Sequence, residues 1–138
     1  MTKRITGVDA AARVFRRLPR AAAEKIVGAL EKGAEDIADR ARVLVPRDEG
    51  DLSETITTRV QERRDGRAVI ALVLAGTTSQ TAITAYRQEF GRAPGPGENP
   101  GHADQAFLFP AYWAVRRRVR GRVARAVNAA AKTEARRR

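Results

Sequence analysis

The side chains that could carry a reaction are few in this chain, and they do not stand together. His102 is the only histidine and lies in a stretch of glycine and proline. General acid–base and triad chemistry need partners positioned around such a group, so it reads as a solvated side chain. With one histidine and no cysteine, only carboxylates would remain to complete a zinc site, an unfavourable ligand set. "DEGD" at Asp48–Asp51 lacks the spaced oxygens and distal glutamate of a calcium loop and reads as a polar turn. "GRAPGPGENPG" at Gly91–Gly101 has no Lys-Ser/Thr ending, and its prolines remove the amide donors that would cradle a phosphate. Glu89, between Tyr86 and Phe90, has two readings: partly buried against an arginine, or a surface carboxylate at a helix end. These residues point to no enzyme, no metal and no cofactor.

The elements that would position these groups follow from periodicity and punctuation. Between Pro19 and Pro46, the residues Ile26, Leu30, Ala34, Ile37, Ala41 and Leu44 recur at steps of three and four, an amphipathic helix. A shorter helix over Asp9–Leu18, with Asp9 as its N-cap, completes a helical region over 7–45. A β-hairpin over 53–76 turns at Asp65-Gly66. Its first strand alternates, with Ile56, Thr58 and Val60 on one face. Its second is apolar on both faces and is expected to be central or covered on both sides. Residues 79–90 fit a short helix better than a strand, through Ile83, Tyr86 and Phe90. Residues 107–135 form a long helix whose stripe is Leu108, Tyr112, Val115, Val119, Val123, Val127 and Ala130, with Pro110 in its first turn. The expectation is one α+β domain over 1–138, its core mostly small aliphatic because aromatics are scarce. The longest apolar run, Ala68–Gly76, is far short of the roughly 20 residues that span a bilayer, and no signal peptide is visible, so a non-secreted, non-membrane chain is expected.

Charge is uneven. Residues 114–138 hold nine arginines and one lysine against the single acid Glu134, a net +9 of the chain's +11. The basic helix, with Arg116, Arg117, Arg120 and Arg125 largely off the apolar stripe, is either a solvated face or a contact for nucleic acid, an acidic protein or another anionic surface.

The connection over 91–106 carries four glycines and three prolines and offers almost no apolar side chain of its own. Loops beyond about 12–15 residues are uncommon in compact domains and are usually functional or disordered. Arg92, Pro94, Pro96, Glu98, Asn99 and His102 are therefore candidates for an assembly arm. Burial of Phe90, Phe107 and Phe109 is expected to pin its two ends to the body.

Three segments in order carry a family resemblance: "ARVLVPRDEGDLSETI", "AYRQEFGR" and "QAFLFPAYWA". Over about Arg40 to Ala114 the chain resembles the tail-completion, or neck, proteins of long-tailed double-stranded DNA bacteriophages. Pro46, Gly50, Leu52, Glu89, Phe90, Gly91, Phe107, Leu108 and Pro110 match that pattern. Glu49, Arg92 and Ala106 stand where the family usually has Thr, Thr and Pro. The resemblance implies a structural virion protein of the neck, assembled in the host cytoplasm and without catalytic residues. It implies a homo-oligomeric ring, six copies rather than twelve, that contacts the tail tube or terminator and the head-completion or portal-adaptor proteins, with possible contact to packaged DNA. Two alternatives stay open: the tail terminator ring itself, and a nucleic-acid-binding module built on the arginine-rich helix.

Overall fold

The structure is a computed structural model and describes residues 20–46, 50–62, 69–97, 101 and 103–136. Its elements are α1 (Arg20–Leu44), α2 (Gly50–Glu54), β1 (Thr57–Glu62), β2 (Val69–Leu74), α3 (Ser79–Phe90) and α4 (Leu108–Arg136). The arrangement is α+β, two long helices with a small antiparallel sheet. The helix expected over Asp9–Leu18 and the Asp65-Gly66 turn lie outside the described residues.

Helices α1 and α4 pair along most of their length and run antiparallel. Ala22 and Ile26, early in α1, cluster with Ala130 late in α4; Ala38 and Ala41, late in α1, share a cluster with Ala111 near the start of α4. Small residues make this approach possible, and Gly33 lets α1 come close to Val119 of α4. A Cβ there would lie 2.6 Å from Val119 Cγ1. The mid-helix glycine costs about 1 kcal/mol of propensity relative to alanine, which the close packing offsets. Polar bonds fix the pairing register: Arg122 Nη1 donates to Asp36 Oδ2 at 2.7 Å, and Arg118 lies 3.5 Å from the same oxygen.

The apolar stripe of α1 packs inward as its spacing requires, with Ile26, Ala34, Ala38 and Ala41 buried. The stripe of α4 is rotated slightly from its expected position. Ala111, Val115 and Ala130 are buried, whereas Tyr112 and Val127 are exposed. Ser79–Phe90 is helix, started by a reciprocal cap in which Thr78 Oγ1 accepts from the Thr81 amide and Thr81 Oγ1 accepts from the Thr78 amide. The acidic turn after Pro46 contains a short helix, α2. Buried Thr55, just beyond α2, donates to the Leu52 carbonyl and accepts from the Gly76 amide, tying α2 to the end of β2.

Strands β1 and β2 pair antiparallel, Thr58 opposite Val73 and Val60 opposite Ala71. The expectation that β2 is covered on both faces does not hold. Among the described residues it pairs only with β1, and Ile70 and Leu74 on its outer face are exposed. The face of Ala71 and Val73, where α1 lies, is half-buried, and on the outer face only Leu72 is covered to the same degree.

Candidate assembly surface

The three motif segments converge on one cluster. Val45, Leu52 and Ile56 come from the first, Ala85 from the second, and Phe107 and Ala111 from the third. Phe107 and Ile56 are its largest fully buried side chains. Pro46 is half-buried after the last turn of α1, and Gly50 opens α2.

Glu89 organises the start of α4: it is buried, as one of its two readings has it, but its partners are backbone amides and not an arginine. It is 7% exposed and meets no arginine among the described contacts. Its Oε2 accepts from the amides of Phe107 and Leu108, each at 2.8 Å, and its Oε1 from the amide of Phe109 at 2.9 Å. A helix leaves its first amides without intrahelical partners, and an apolar residue at the N-cap cannot supply one. Phe107 holds that position here. Glu89 takes the amides of Leu108 and Phe109, Pro110 has none to offer, and the Ala111 amide already bonds the Phe107 carbonyl. The cap is complete, and a carboxylate also suits the positive end of the helix dipole.

Gln88 closes the neck of the long loop beside it. The Gln105 amide donates to the Gln88 carbonyl at 2.8 Å, and Gln88 Nε2 donates to Gln105 Oε1 at 2.7 Å. The loop ends are thus held by a polar clasp and by Phe107, not by three buried aromatics. Phe90 and Phe109 are 57% and 52% exposed. Of the loop itself, Arg92, Pro94 and Pro96 are exposed, while Glu98, Asn99 and His102 lie outside the described residues. The segment also folds back on itself. Gly101 has φ +71°, and a Cβ there would come within 2.4 Å of the Arg92 carbonyl oxygen, so only glycine fits.

Freed from the core, Phe109 stands in an exposed aromatic row. Tyr86, 65% exposed, packs against Phe90 with ring centroids 4.9 Å apart, and Phe90 meets Phe109 edge-on at 6.1 Å. Phe109 is the ridge between two apolar grooves. One, of about 310 Å³, runs between β2 and α3 past Leu74, Tyr86 and Phe90; the other, of about 350 Å³, is lined by Ile37, Ala71 and Tyr112. Continuous exposed apolar surface of this kind marks an interaction site.

The arginines of α4 divide into two sets. Arg118 and Arg122 face α1 and hold Asp36. Arg117, Arg120 and Arg125 are exposed and have no acidic partner among the described residues, and the Arg116 guanidinium lies 4.0 Å above the Trp113 ring. No pattern in the sequence marks the inward pair. Finding it requires knowing that residues 86 positions apart face each other across the helix pair.

No group of three or more potential metal ligands occurs among the described residues, and none of their helices is long and apolar enough to cross a membrane. Comparison with curated proteins and with solved structures finds no match. Comparison with protein families matches residues 9–91 to one described as "Bacteriophage HK97-gp10, putative tail-component". That match covers the first of the converging segments, the second as far as Gly91, and more than half of the chain. The chain belongs to the HK97-gp10-like family of bacteriophage tail components.

Proposed function

We propose that the chain is a structural virion subunit that performs no turnover and closes into a homo-oligomeric ring of six copies at the head-proximal end of the tail. There it joins the tail tube or terminator to the head-completion or portal-adaptor proteins. The observation that carries this reading is the exposed aromatic row of Tyr86, Phe90 and Phe109, which lies where the family motifs converge. A neighbouring subunit seated on Phe109 would bury the row and both grooves. The sheet supports the same occupant, because two strands alone are marginal and β2 presents exposed apolar side chains beside an open edge. The loop that ends at this row serves as an arm to the next subunit, its base held by the Gln88 and Glu89 bonds. A head-to-tail contact that closes by rotation gives a ring of fixed size instead of a filament.

Loss of the gene is expected to leave filled heads and separate tail tubes in the lysate, with few infectious particles. Electron microscopy and plaque titre read this directly. A null mutant with normal titre would remove the chain from the joining pathway.

A further inference from the structure

The outer ridge of α4 is a second surface, distinct from the aromatic row, and it has its own chemistry. Trp113, Arg117 and Arg120 recur at steps of four and three on the side of α4 opposite buried Ala111 and Val115, and all three are exposed. Arg116 leans onto the exposed Trp113 ring, which orients its guanidinium. Arg125 and Lys132, also exposed, lie about a third of a turn round the helix from this ridge. From Trp113 to Arg120 the ridge runs roughly 10 Å at the usual helical rise.

From this geometry we infer that the ridge binds duplex DNA through its phosphates, without base preference. The guanidinium fork matches phosphate oxygens, and the three guanidiniums of Arg116, Arg117 and Arg120 gathered on one helix face suit a regularly charged polymer. A second copy of this chain offers a poorer partner. The carboxylates that α1 could present are largely taken within the subunit: Asp36 by Arg118 and Arg122, Asp39 by Arg42, and Glu35 by Arg42 and Thr58. Arg118 and Arg122 are committed to α1, so the ridge can engage DNA without loosening the helix pair.

The test uses the full chain and a fluorescently labelled mixed-sequence duplex of about 30 base pairs, followed by anisotropy between about 50 and 200 mM salt. The logarithm of the binding constant is expected to fall with the logarithm of salt at about −0.9 per phosphate engaged, a slope near −3. The double variant Arg117→Ala/Arg120→Ala should bind about tenfold more weakly at the low-salt end, with a slope shallower by about 2. Its melting temperature should be unchanged, since both side chains are exposed. Wild-type affinity and slope in the double variant would overturn the inference, because binding would then reside elsewhere. So would the absence of duplex binding by the wild-type chain, and loss of self-association in the double variant would then assign the ridge to an acidic face of another subunit.

Discussion

Glu89→Ala is expected to lower the stability of the chain by about 3–5 kcal/mol. The three amide bonds to its carboxylate are charge-assisted, a class worth about 1.5–3 kcal/mol each, and water entering the vacated site recovers part of the loss. The amides of Phe107, Leu108 and Phe109 would otherwise be left without acceptors at the edge of the core. Against a typical total of about 5–15 kcal/mol this is a large fraction, and it corresponds to a fall in melting temperature of roughly 10–20 °C. Glu89→Gln keeps one acceptor oxygen and should fall between the wild type and alanine. Thermal unfolding followed by circular dichroism ranks the three. Wild-type melting of Glu89→Ala would mean that the carboxylate does not hold the start of α4.

Phe109→Ala is expected to separate assembly from folding. A side chain about half exposed contributes little to the core, so its removal should cost under about 1 kcal/mol. Phe107→Ala, two positions earlier and fully buried, should cost about 3–5 kcal/mol. On tails the order reverses in meaning. Folded Phe109→Ala protein should complete tails at a small fraction of the wild-type efficiency, because the ridge between the two grooves is gone. Replacing Arg92–Asp104 with a short Gly/Ser bridge belongs in the same assay. Loop length enters stability only logarithmically, so the bridge should melt near the wild-type temperature while completing few tails. Normal completion by folded Phe109→Ala protein would show that the row is not the contact.

Much of the scaffold is legible in the sequence because its signals are periodic. Ile26, Ala34 and Ala41 repeat at the helical period, and their burial follows from it. What periodicity does not carry is direction. Phe107 and Phe109 look equivalent in "FLFPA", yet the first residues of α4 step by about 100° each, so one enters the core and the other faces outward. The doubly apolar β2 is likewise compatible with a covered strand or with an exposed face awaiting a partner, and only the neighbouring elements decide between them. Glu89 was harder to read because its partners are backbone amides, which no side-chain pattern displays. One signal is in the sequence: neither Ala106 nor Phe107, the residues that open the helix, can cap it, so the cap must come from another segment. The Asp36–Arg122 pair depends on the antiparallel register of α1 and α4, which the sequence does not state.

The central claim is that several copies of this chain close into one ring at the head end of the tail. A cryo-electron microscopy reconstruction of the intact head–tail junction, with the chain located by a fused tag, tests it most directly. The expected result is six copies in a single ring between tail tube and head connector, with Phe109 of each subunit buried against its neighbour. One or two copies per particle, or a position away from the junction, would contradict it.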